Sequence, residues 1–177
     1  IGAVSGRIKF GAIAAIITAW IIIVYGPLAH MVWGGGLIGG TIGALDFAGG
    51  DVVHISSGVT GLVICLILGK RKGFGHMTSG AHNTPMVALG AALLWFGWFG
   101  FNAGSALGDS FGNADGECVA AIAAMNTLIA SAAACVSWMV TDKIATGKST
   151  LVGACTGLVA GLVVITPAAG FVEAWAA

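Results

Sequence analysis

Five long stretches of this chain carry almost no charge, near residues 8–25, 47–69, 85–106, 118–141 and 150–169. The hydrocarbon core of a bilayer is about 30 Å thick, and a helix rising about 1.5 Å per residue needs about 20 residues to cross it. Inside that core every backbone N–H and C=O must find its partner within the protein. The runs are continuous, without the polar alternation of barrel strands, so the reading is helical. The fold class expected is all-α, a polytopic helical membrane protein with five transmembrane helices in this chain. A soluble protein with five buried core helices is ruled out by charge. Only 8% of the residues are charged, too few to solvate the outer faces of five helices.

Five crossings fix which loops share a side, and the basic residues test that division. Arg7 and Lys9 precede the first crossing, Lys70, Arg71 and Lys72 follow the second, and Lys143 and Lys148 lie between the fourth and fifth. All fall on one side, which the positive-inside rule reads as cytoplasmic. The opposite loops are Pro27–Leu45 and Leu107–Glu117, the second carrying Asp109, Asp115 and Glu117. The chain therefore starts at the cytoplasm and ends outside, as an integral protein of the plasma (inner) membrane in contact with lipid. Seven basic residues balance seven acidic ones, which leaves no case for a nucleic-acid partner or a polybasic surface anchor. Glycine makes up 30 of the 177 residues. In so apolar a chain, the Gly100–Gly104 and Gly157–Gly161 spacings point to close helix packing. Ile1 opens no signal peptide and Glu173–Ala177 shows no helix stop, so both ends are expected to be internal to a longer chain.

Few side chains inside these runs carry chemistry. His54 lies eight residues past Asp46, roughly 12 Å along a helix and towards the membrane interior. Two roles fit it: a pore-lining imidazole offering one donor and one acceptor to a small polar solute, or a structural histidine tied to neighbouring backbone. Asp51 precedes His54 by three residues, a spacing that puts both on one helix face. It fits a charge partner of the imidazole and a hydrated boundary residue equally. Asp46, just before Phe47-Ala48-Gly49, suits a helix cap. Phe101 and Ser105 stand at i, i+4, where a ring and a hydroxyl can line one path, although lipid-facing or core aromatics also fit the run. Trp33 suits either an interfacial aromatic belt or attraction of a small cation.

His30, His76 and His82 sit in predicted loops or helix ends without metal-ligand spacing. Cys65, Cys118, Cys135 and Cys155 lie in or beside apolar runs with no CxxC, and read as structural. No metal, cofactor, phosphate loop or Ser-His-Asp arrangement is expected, and nothing points to an enzyme.

Together, several motifs carry a resemblance. They are His30-Met31-Val32-Trp33-Gly34-Gly35-Gly36, Asp46-Phe47-Ala48-Gly49-Gly50 with Val52-Val53-His54, and His82-Asn83-Thr84-Pro85-Met86. Gly97 to Ser105, Gly153-Ala154-Cys155 and Thr166-Pro167-Ala168-Ala169-Gly170 extend the match in order. The chain resembles the ammonium transporter, methylammonium permease and Rhesus protein family, in its ammonium transporter branch, along essentially all of its length. The resemblance implies an eleven-helix inverted-repeat channel fold in a homotrimer, with this chain as helices four to eight of a partial domain over 1–177. It assigns Trp33 and Ser105 to external cation recruitment, Phe101 to an aromatic gate and His54 to the paired histidines of the path. Asp46 and Thr166 become supporting residues. It makes ammonium or ammonia the solute, and allows a nitrogen-regulatory partner. The second histidine and one gate ring would lie beyond these 177 residues, so the isolated stretch is expected not to conduct. Asp51 departs from the small or hydroxyl residue usual at its position, marking a possible modulator. The alternative function is an ammonium sensor with little or no flux.

Overall fold

The computed structural model describes residues 2–71, 73–75, 80–107 and 118–177. The readings of Lys72, His76 and the acidic residues Asp109, Asp115 and Glu117 lie outside the described residues. Every regular element among them is helical. The stretches Phe10–Ile42, Gly50–Leu68, Thr84–Gly104 and Val119–Thr146 are long and apolar enough to cross a membrane, while Leu151–Ile165 is apolar but shorter. The chain divides into two compact units, Ile1–Gly80 and Ala81–Ala177.

The first unit opens with a short 3-10 turn at Gly2–Val4, followed by α1, Phe10–Trp20. A π turn at Ile21–Tyr25 carries the helix without a break into α2, Gly26–Trp33. The sequence reading placed a loop from Pro27 onward, and the structure corrects it. Proline is tolerated in the first turn of a helix, where its missing N–H would have no helical partner. Here the preceding turn widens, with Gly26 N–H reaching back to Ile21 O. A wider turn makes room where the proline ring would strike the carbonyl four residues earlier. The continuous helix from Phe10 to Trp33 is then roughly 36 Å long. It ends where Gly34 and Gly36 both donate to His30 O, at 2.9 and 3.3 Å, around a left-handed Gly35. A second π turn covers Leu37–Ile42. A third, Gly50–Ile55, leads directly into α3, Ser56–Leu68. Trp20 Nε1 donates to Thr60 Oγ1 at 2.9 Å, joining α1 to α3.

The second unit is three packed helices. α4, Thr84–Gly104, starts at Asn83, whose Oδ1 accepts from Met86 N at 3.0 Å, with Pro85 in the first turn. α5 spans Val119–Thr146, and Gly147, left-handed at φ +83°, ends it. α6, Leu151–Ile165, starts at Thr150, whose Oγ1 accepts from Gly153 N at 3.0 Å. Gly153, Gly157 and Gly161 recur every fourth residue and are all buried. A Cβ on Gly157 would sit 2.5 Å from the Trp138 Cβ and 2.7 Å from Ala134 O, and one on Gly161 2.7 Å from the Ala134 Cβ. The glycines therefore let the α6 backbone lie directly on α5, as their spacing predicts. Buried amides complete the packing: Asn102 Nδ2 donates to Thr127 Oγ1 at 3.0 Å, and Asn126 Nδ2 to the Ala169 and Val172 carbonyls at 2.8 and 2.7 Å.

Replacing Gly157 or Gly161 with Leu should force α5 and α6 apart. A loss of about 1–3 kcal/mol is expected from overpacking, read as a lower unfolding midpoint in detergent. An unchanged midpoint in both variants would contradict this packing.

Candidate functional site

Asp46 is the centre of the first unit's polar chemistry. It is 7% exposed, and it precedes the π turn Gly50–Ile55, whose first amides have no partner within the helix. Its Oδ1 accepts from Gly49 N and Gly50 N at 2.8 and 2.7 Å, and its Oδ2 from Asp51 N and Val52 N at 2.8 and 3.2 Å. One carboxylate thus satisfies four backbone donors, and its charge faces the positive end of a helix. The cap expected from sequence is present in a fuller form than a single side-chain bond. Gly49 is left-handed at φ +107°, and a Cβ there would lie 2.7 Å from Val53 Cγ2. Only glycine turns the chain at this point without strain.

The main chain of Asp46 also holds Trp33, whose Nε1 donates to Asp46 O at 2.8 Å. Nearly half of the Trp33 surface stays exposed, at 49%. The indole's only donor is thereby spent on the protein, while a large part of the residue remains accessible.

Asp51 and His54 follow in the π turn, both half-buried. Their placement differs from the sequence expectation in one respect. His54 N bonds to Gly49 O, five residues back, at 3.2 Å. A turn this wide rotates residues three apart further from one face than an α-turn would.

The second unit positions Phe101, Ser105 and Thr166. Ser105 follows the last turn of α4, and its hydroxyl donates to Phe101 O at 2.8 Å. The proton of that hydroxyl is committed inward, so the lone pairs of its oxygen are what it offers elsewhere. Phe101 is 39% exposed, and its ring lies 5.5 Å from that of Trp98 at a 54° tilt, within the favourable range for aromatic pairs. Trp98 Nε1 donates to Thr166 Oγ1 at 3.0 Å, and the buried Thr166 hydroxyl in turn donates to Leu162 O at 2.8 Å. A hydroxyl on α6's end thus steadies an indole on α4, which supports the Phe101 ring.

Comparison with known proteins now bears on this geometry. The sequence model of the Ammonium Transporter Family matches residues 1–177. The chain belongs to that family. The ammonium transporter of Aquifex aeolicus is 53% identical over 172 residues, covering 97% of this chain and 38% of the relative. That of Bacillus subtilis is 53% identical over 175 residues, covering 99% and 41%. Among solved structures, Mep2 of Saccharomyces cerevisiae superposes with a TM-score of 0.84 at 43% identity, covering 99% of this chain and 39% of that one. The chain therefore spans about two-fifths of the length of these relatives.

Within this chain, the structure joins Trp33 to Asp46 and, separately, Phe101 to Ser105 and, through Trp98, to Thr166. Sequence reasoning named Thr166 through resemblance alone and gave Trp98 no role. It also passed over Asn102, Asn126 and Thr127, all fully buried. Their signal was present: an amide or hydroxyl in the middle of an apolar helix needs a partner on a neighbouring one.

Asp46→Asn should leave the fold's outline intact and loosen this corner. An amide keeps one acceptor oxygen and turns an NH2 towards backbone donors, so at least one charge-assisted bond, worth about 1.5–3 kcal/mol, is lost. Hydrogen exchange at the amides of Gly49 to Val52 should quicken by about tenfold or more. Wild-type protection in the variant would refute the four-donor role of Asp46.

Proposed function

We propose that the parent protein moves ammonium or ammonia across the membrane, with Trp33 and Ser105 recruiting the cation on the external face. One observation supports this most directly. The Trp33 N–H is spent on Asp46 O and the Ser105 O–H on Phe101 O. What each has left for a solute is electron-rich: a ring face and a pair of oxygen lone pairs. Such groups attract a small cation with N–H donors and give an anion nothing to bind. Asp46, with both oxygens engaged by amides, supports the site without ligating the solute.

An ion is costly to carry through a low-dielectric passage. Transfer of one proton from the recruited ion to external water lets neutral ammonia pass the apolar constriction at Phe101. His54 then serves as a directional hydrogen-bond partner on the path, and Asp51, three residues before it, modulates the local charge. The homotrimer, the cytoplasmic placement of the basic ends in the plasma membrane and a nitrogen-regulatory partner belong to the same proposal.

Ammonium-dependent flux in liposomes containing the full parent protein is the test. Trp33→Leu should raise the half-saturating ammonium concentration roughly threefold to thirtyfold, the worth of one cation–π contact. Ser105→Ala should raise it a few-fold. His54→Ala and His54→Glu should each alter solute or proton selectivity. Ligand binding without flux would overturn transport in favour of sensing, and unchanged selectivity in both His54 variants would make that residue structural.

A further inference from the structure

Ser105 takes its place from a residue to which the recruitment reading gives no role. It stands just past the last turn of α4, where its hydroxyl donates to Phe101 O at 2.8 Å and its N–H to Asn102 O at 3.2 Å. The second bond is of the tighter three-residue type common at helix ends. Where the Phe101–Asn102 backbone goes, the Ser105 oxygen follows.

Asn102 is itself tied to a neighbouring helix. Its side chain is fully buried, and Nδ2 donates to Thr127 Oγ1 on α5 at 3.0 Å. Thr127, also fully buried, gives its own proton to Ala123 O, one turn earlier on α5, at 2.6 Å. Towards Asn102 the threonine oxygen is therefore an acceptor. The preceding residue, Asn126, donates to the Ala169 and Val172 carbonyls beyond α6, so the part of α5 that holds Asn102 is fixed in turn. One turn before Asn102, Trp98 bonds Thr166 at the end of α6. The end of α4 is thus gripped twice, at Trp98 from α6 and at Asn102 from α5.

Packing alone does not account for the amide. Asn102 Oδ1 is buried and has no hydrogen-bond partner among the described residues. A buried acceptor without a donor destabilises a fold, and an apolar pair at these two positions would carry no such cost. What an apolar pair lacks is direction. A buried hydrogen bond between helices specifies one mutual rotation where apolar contacts tolerate several. Both side chains are enclosed by this unit itself, so their pairing does not depend on what covers its surface.

We propose that Asn102 and Thr127 are positioning residues for ammonium recruitment, their hydrogen bond setting the rotation of the last turn of α4 and so aiming the Ser105 oxygen at the cation. This rests on the recruitment role of Ser105. The test is ammonium-dependent flux by the full parent protein in liposomes. Thr127→Val keeps the side chain's shape and removes the acceptor. It should raise the half-saturating ammonium concentration roughly threefold to tenfold, the worth of one hydrogen bond. Maximal flux per folded protein should stay within about twofold of wild type. Thr127→Ser retains the hydroxyl and should restore the wild-type half-saturating concentration. In a Ser105→Ala background, Thr127→Val should add little further, because both changes act on one oxygen. A residue that only holds helices together would lower maximal flux and the thermal midpoint and leave half-saturation where it was. That result, with Ser105→Ala still raising half-saturation, would overturn the positioning role and leave recruitment standing. Full multiplication of the two effects would do the same. A half-saturating concentration unmoved by Ser105→Ala would overturn recruitment by Ser105, and the positioning role with it.

Discussion

The four amide bonds to the Asp46 carboxylate are the constraint from which the rest of the first unit follows. A helix that begins within or beside the membrane exposes N–H groups that water cannot reliably satisfy. Here one buried side chain takes four of them. Its backbone carbonyl then fixes Trp33, so the helix carrying Asp51 and His54 and the indole on α2 share one anchor. The cap expected from sequence therefore acts by geometry, ordering the groups that in our proposal meet the solute.

The second unit obeys the same rule with weaker groups. Around Phe101 three polar hydrogens are turned to neighbours: Ser105 to Phe101 O, Trp98 to Thr166, Thr166 to Leu162 O. What remains outward is π density and lone pairs. Selectivity for a small cation in our proposal arises from this disposal of donors and needs no fixed negative charge at the recruitment residues. In folding terms the same bonds satisfy buried groups and, in our proposal, set the polarity of the path.

Much of the fold was legible because hydropathy is a strong signal for lipid-exposed helices. α3 and α4 follow from their apolar runs, and the Gly157–Gly161 packing from its spacing. Pro27 misled because proline marks a loop and a helix's first turn alike, and only the widened turn before it decides between them. The π turn at Ile21–Tyr25 left no trace in the sequence, since a run apolar on every face has no period to disturb, and at Gly50–Ile55 two polar positions, Asp51 and His54, are too few to define one. Hence Asp51 and His54 were put closer to one face than they are. The capping role of Asp46 was readable from its position, but not its fourfold reach, which depends on the left-handed Gly49. Trp98 went unassigned because an aromatic in an apolar run looks the same facing lipid as facing a partner.

The central claim is that Trp33, with its N–H turned inward, receives the cation on its ring face. Fluorination drains π density from an indole with little change of shape, so it addresses that claim alone. Mono-, di- and trifluorotryptophan at position 33 of the full protein should raise the half-saturating ammonium concentration for flux stepwise, its logarithm climbing with each fluorine. A half-saturating concentration unaffected across the series would contradict the account.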